Sequence, residues 1–147
     1  MTQKPRGISG DHRMQDAVLV LGANGFIGGH MVAGLAAAGL PVVAGARRPA
    51  GGAVPFRQVD AGDAGSLAAA LQGVAAVVNC VAAPPAAMLE ATRLLAAAAG
   101  PRRIVHLSSM AVYGGATGLL DEEAPPSPAG AYGESKAASE AVLRAHA

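Results

Sequence analysis

Ala17-Val18-Leu19-Val20-Leu21-Gly22-Ala23-Asn24-Gly25-Phe26-Ile27-Gly28-Gly29 decides the fold. Five apolar residues run straight into a glycine-rich turn, with Gly22, Gly25 and Gly28 at intervals of three. The apolar run reads as a short buried strand. The turn opens a helix that reaches about residue 38, where Gly39 can stop it. Glycine permits a tight turn and close approach of a pyrophosphate, and a helix N-terminus offers free N–H groups to an anion. Glycine-rich strand–helix turns also serve as plain turns, but a strand before and a helix after favour dinucleotide binding. Gly22, Asn24, Gly25, Phe26, Ile27 and Gly28 are therefore candidate cofactor-binding residues, and Gly28 would let the helix pack on the strand.

Outward from this turn, strands and helices alternate. Further strands are expected over residues 41–46, 54–59, 74–81 and 103–107. A helix capped by Asp63 or Ser66 runs to Leu71. Pro84 and Pro85 suit a first helical turn, and residues 86–99 form an alanine-rich helix closed by Gly100-Pro101. A loop rich in glycine, proline and acids fills residues 114–130, and residues 131–147 look helical. Alternation of this kind implies βαβ units and a parallel sheet. With right-handed crossovers the class is α/β, a doubly wound parallel sheet of order 3-2-1-4-5. Ligands of such sheets sit beyond the carboxyl ends of the strands, where the order reverses.

The second strand ends in Gly45-Ala46-Arg47-Arg48. A site preferring NAD has an acid about 20 residues past the glycines, for the ribose hydroxyls. Two arginines stand there instead, and guanidinium suits a 2′-phosphate. NADP is the first choice of cofactor and NAD the second; the plain alternative is two solvated surface arginines. Asp60 could accept from an adenine amino group, with Ala61 beside it, or could start the Asp60-Ala61-Gly62-Asp63 turn. Val81 and Ala82, after the fourth strand, fall on the same edge.

Chemistry is suggested by residues 105–136. Val105-His106-Leu107-Ser108-Ser109 ends a buried strand, and Tyr132-Gly133-Glu134-Ser135-Lys136 begins the last helix. Tyrosine and lysine at i and i+4 share one helix face. A lysine beside a phenol favours the phenolate and suits it to proton exchange, while a serine could hold a substrate oxygen. That set fits carbonyl and alcohol chemistry.

Composition narrows the classes. At 147 residues one domain is expected. The chain is 52% hydrophobic and 14% charged, with mean hydropathy +0.36, which suits a compact buried sheet. A net charge of +1 gives no reason to expect nucleic-acid or membrane partners. Cys80, the only cysteine, excludes an internal disulfide and is read as inert core. His106 is read as a packed histidine, and no His/Cys/Asp spacing suggests a metal. Residues 1–16 are polar and read as a flexible leader, so the cytoplasm is the expected setting.

Taken in order, these pieces resemble the extended branch of the short-chain dehydrogenase/reductase superfamily, the NAD-dependent epimerases and dehydratases, from about Val18 onward. The resemblance rests on the glycine turn, Asp60, Val81-Ala82-Ala83, the serines before Val112-Tyr113-Gly114, the loop with Glu123, Pro125 and Pro128, and Tyr132-x-x-x-Lys136. It implies a Rossmann domain over residues 17–147. It makes Ser109, four before Tyr113, the catalytic serine, Tyr132 the acid/base, and Lys136 the residue that supports the tyrosine and holds the nicotinamide ribose. The implied partner is a small carbonyl or hydroxyl compound, possible sugar derivatives included, with dimerisation through the alanine-rich helices.

Two departures shape the expectation. The segment between the fourth and fifth strands is shorter than in many sugar-nucleotide epimerases, which argues against a classical sugar-nucleotide substrate. The sequence stops soon after Lys136, without the family's sixth strand and substrate lobe, so it reads as a C-terminally truncated part with weak or no turnover. The alternatives are a non-catalytic NADP-binding sensor and an inactive fragment.

Overall fold

A computed structural model describes residues 16–49 and 51–146; all of the expected leader except Asp16 lies outside these. Five strands, β1 (Ala17–Leu21), β2 (Val42–Ala46), β3 (Phe56–Gln58), β4 (Val74–Asn79) and β5 (Arg103–His106), form one parallel sheet of order β3-β2-β1-β4-β5. This is the expected order. Among the described residues four helices accompany them: α1 (Phe26–Ala37), α2 (Ala64–Ala70), α3 (Pro85–Ala99) and α4 (Ala131–Arg144). No helix among the described residues is long and apolar enough to cross a membrane.

The three central strands, β1, β2 and β4, bury both faces, as parallel strands between helices do. Leu19, Leu21, Val43 and Val77 point to one side and pack with Leu67 and Leu71 of the α2 region and Leu95 of α3. Val20, Val42 and Val78 point to the other, under Met31, Val32 and Leu35 of α1. Each fully buried leucine or valine contributes about 1.5–3 kcal/mol.

Local chemistry sets the ends of the helices. Asp63 caps α2 by accepting from the Ser66 N–H at 2.6 Å. Pro85 stands in the first turn of α3, where a missing N–H costs nothing, and Gly100 ends it with φ of 56°. The buried face of α4 consists of Gly133, Ser135, Lys136 and Ser139, and the helix lies against α3.

Several elements are shorter than expected. β4 stops at Asn79 because the chain turns there to run past the glycine turn, and the Asn79 side chain accepts from the Val81 N–H at 3.2 Å. β3 keeps three residues, Phe56–Gln58, and β5 stops at His106. An unforeseen 3-10 turn, Met110–Tyr113, follows β5. At the sheet's edge, β5 has no outer partner strand among the described residues, and Val105 is 51% exposed.

Candidate active site

A cleft of about 610 Å³ opens at the carboxyl ends of β1, β2 and β4. The glycine turn forms its floor. Gly22 has φ of +78°, and a Cβ there would stand 2.6 Å from the Cys80 carbonyl oxygen. A Cβ on Gly28 would overlap the Gly22 carbonyl. Both positions exclude any larger residue, so backbone alone shapes this corner. Gly25 starts α1 with no side-chain cap, which leaves first-turn N–H groups for an anion. These features fit a dinucleotide pyrophosphate.

Gly22, Asn24, Gly25, Arg47, Arg48, Asp60, Ala61, Val81 and Ala82 all line the cleft, as the sequence suggested. Asn24 ties the glycine turn to the arginine loop, donating to the Arg48 carbonyl at 2.5 Å. Arg47 and Arg48 are exposed at the rim. Asp60 lines the cleft and also starts the turn, accepting from the Gly62 N–H at 2.9 Å. Phe26 and Ile27 do not line it: Phe26 is 83% exposed on the outside of α1. Gly28 is buried beneath the turn, where it sets how close α1 comes to β1.

The cleft corrects the reading of Cys80. It lies just past β4, half-buried, packed against the cluster of Val20, Val42 and Val78 and also lining the cleft. Burial pushes its thiol pKa up, and nearby Lys136 opposes that shift. Ala83, Pro84 and Ala87 also line the cleft. Ala83 belongs to the small-residue run after the fourth strand, whereas nothing in the sequence marks Pro84 and Ala87 as lining it.

Ser109, Tyr132 and Lys136 do not line the cleft, although Lys136 lies near Cys80, which does. Lys136 is 5% exposed, and its Nζ donates to the Leu107 carbonyl at 2.7 Å. Burial is the largest influence on Lys136 and lowers its pKa, with Cys80 and Glu140 acting the other way. Tyr132 is 48% exposed, with its ring centroid 6.0 Å from the Lys136 Nζ. Ser109 caps the 3-10 turn, its Oγ accepting from the Ala111 N–H at 3.2 Å. An accepting hydroxyl keeps its own proton to donate. Ser108 is turned away and donates to the Glu140 carboxylate.

His106 sits beneath this group. Its Nδ1 lies 3.2 Å from the Asn79 amide nitrogen, and its buried Nε2 has no hydrogen-bond partner. Burial lowers its pKa, Lys136 adds to that, and Glu140 opposes it. It is half-buried at the end of β5.

Comparison with known proteins agrees with this geometry. The family model described as NAD dependent epimerase/dehydratase family matches residues 18–147. No curated protein matches. A short-chain dehydrogenase/reductase superfamily protein from Agrobacterium tumefaciens, solved with bound NAD, is 32% identical with a TM-score of 0.78, over 88% of this chain and 44% of its own. MoeE5, solved with UDP-glucose and NAD, is 33% identical with a TM-score of 0.77, over 89% and 48%. UDP-N-acetylglucosamine 4-epimerase from Bacillus cereus is 26% identical with a TM-score of 0.77, over 88% and 52%. The chain thus spans about half the length of these solved structures.

Proposed function

The chain belongs to the NAD-dependent epimerase/dehydratase family, and we propose that residues 17–147 are the dinucleotide-binding domain of an enzyme acting on a hydroxyl or carbonyl carbon of a sugar-derived substrate. The observation that carries this reading is the placement of Lys136. It is buried, tied to the main chain after β5, and one helical turn behind Tyr132.

When bound, the nicotinamide supplies hydride transfer. The glycine turn and the α1 N-terminus hold its pyrophosphate. Ser109 donates a hydrogen bond to the substrate oxygen, and Ser108, engaged by Glu140, does not compete. Tyr132 gives or takes the proton on that oxygen. Lys136 places a positive charge beside the phenol and holds the ribose. UDP-sugars in a solved relative support a sugar-derived substrate. A single cysteine suits a reducing compartment such as the cytoplasm.

Relatives are solved with NAD, whereas Arg47 and Arg48 at the rim of this cleft favour NADP, since guanidinium pairs with a 2′-phosphate. Titration of the purified chain with NADPH and NADH separates the two. NADPH is expected to bind at least about tenfold more tightly, and Arg47→Gln with Arg48→Gln to remove the preference, at about 1.4 kcal/mol per tenfold. A preference for NADH overturns the arginine assignment, and binding of neither overturns the function.

With UDP-glucose as probe, Tyr132→Phe is expected to lower nicotinamide reduction about 10²–10⁴-fold at unchanged dinucleotide affinity. Dinucleotide binding with a rate independent of Tyr132 would instead make the protein a sensor.

A further inference from the structure

Two side chains one turn apart on α4 grip successive residues of the segment after β5. Lys136 Nζ donates to the Leu107 carbonyl at 2.7 Å, and the Glu140 carboxylate accepts from the Ser108 hydroxyl. Ser109 comes next in the chain. β5 is only four residues long and is hydrogen-bonded to the sheet on one side, so the sheet alone holds this segment weakly. Glu140 is well placed to grip: its side chain is 19% exposed, and its other oxygen receives Arg144 at 3.0 Å.

Building on the proposed roles of Ser109 and Lys136, we propose that Glu140 is a positioning residue that holds Ser109 in register with Tyr132 and Lys136. It does so in two ways. Its bond to the Ser108 hydroxyl fixes the main chain immediately before Ser109. Its negative charge, one turn from Lys136, keeps a buried ammonium charged that would otherwise be poorly solvated. The groups facing Lys136 are Cys80 from the end of β4, His106 of β5, and Tyr132 and Glu140 of α4. Of these, Glu140 is the only carboxylate. A charge-assisted bond to a half-buried hydroxyl is also stronger than a neutral one.

The test needs neither dinucleotide nor substrate. The chain has two lysines, Lys4 and Lys136, so selective 13C,15N-lysine labelling resolves the Lys136 side chain by NMR in the full chain. Glu140→Gln keeps volume and an acceptor for Ser108 but removes the charge. It is expected to move the Lys136 titration midpoint down while the Ser109 amide resonance stays in place. Glu140→Ala removes both contacts and is expected to shift the amide resonances from Leu107 to Met110 as well. An unmoved Lys136 midpoint in Glu140→Gln, or an unmoved Ser109 amide in Glu140→Ala, overturns the proposal. Should Glu140→Ala fail to fold, Ser108→Ala replaces it and is expected to shift the same amides; unmoved amides there count equally against the proposal. Failure of the wild-type chain to bind NADPH or NADH would sink the proposed function alone, whereas these NMR results bear on Glu140 alone.

Discussion

The glycine turn lines the cleft and the α4–β5 corner does not, and the two are built on opposite principles. In the turn the groups left free are first-turn backbone N–H donors, and the sequence contributes by leaving side chains out. In the corner the groups are side chains: Lys136 and Ser135 donate to, and Glu140 accepts from, partners far along the chain. A site made by omission breaks when one atom is added. A site made of side-chain contacts breaks when one is removed, and by the smaller free energy of a hydrogen bond.

The largest effect is expected where an added methyl has nowhere to go. In Gly28→Ala the new Cβ overlaps the Gly22 carbonyl, so α1 must move away from β1. Overpacking against backbone costs about 3 kcal/mol, which lowers the melting temperature by about 10 °C for a domain of this size. Dinucleotide affinity falls with it. Thermal denaturation by circular dichroism checks this, and a melting temperature within about 2 °C of the parent would contradict the packing argument.

Gly133→Ala sharpens the contrast, because the corner also has one place built by omission. The Cβ would overlap the Ala111 carbonyl, pushing the start of α4 off the 3-10 turn. Alanine's better helix propensity returns about 1 kcal/mol, so the net loss is about 1–2 kcal/mol. Tyr132 moves with the helix start, while the cleft floor is untouched. The expected signature is a shift of the Tyr132 ring resonances at unchanged dinucleotide affinity; a loss of that affinity as well would mean that the two regions act as one.

This contrast also decides what could be read in advance. Strand order and the cleft floor were legible because their signals are local: short continuous apolar runs in β1 and β4, and glycines three apart. The family-type spacing of Ser109, Tyr132 and Lys136 was legible as a pattern. What joins them was not. Ser108 and Glu140 are 32 residues apart and Asn79 and His106 are 27, and nothing in the sequence pairs them. The inward face of α4 is glycine, serine and lysine, so hydrophobic periodicity cannot mark it. Cys80 was assigned to the core because an apolar run does not reveal where pairing stops, and here it stops at Asn79.

His106 gives an effect that depends on pH. Burial holds its pKa below the usual histidine range, so the unfolded chain binds a proton that the folded chain resists. No cost exists above about pH 6.5. As pH falls below that, stability is lost, and the loss levels off once pH passes the folded value. Denaturant midpoints measured in mildly alkaline and mildly acidic buffer should show a smaller drop in His106→Asn than in the parent. An identical drop in both would remove His106 from the account.

The smallest effect tests the side-chain principle most directly. Ser135 is buried, and its Oγ donates to the Pro85 carbonyl at 2.6 Å, joining α4 to the first turn of α3. Ser135→Ala removes that one neutral bond without adding bulk, and Pro85 keeps its place in α3. The loss should be about 1 kcal/mol, or about 3 °C in melting temperature. Lys136 is the next residue, but its own bond to Leu107 does not pass through Ser135, so the Lys136 side-chain resonances should stay in place. A large shift of those resonances with so small a loss of stability would mean that the α3–α4 contact, rather than the grip on the segment after β5, sets where Tyr132 and Lys136 stand.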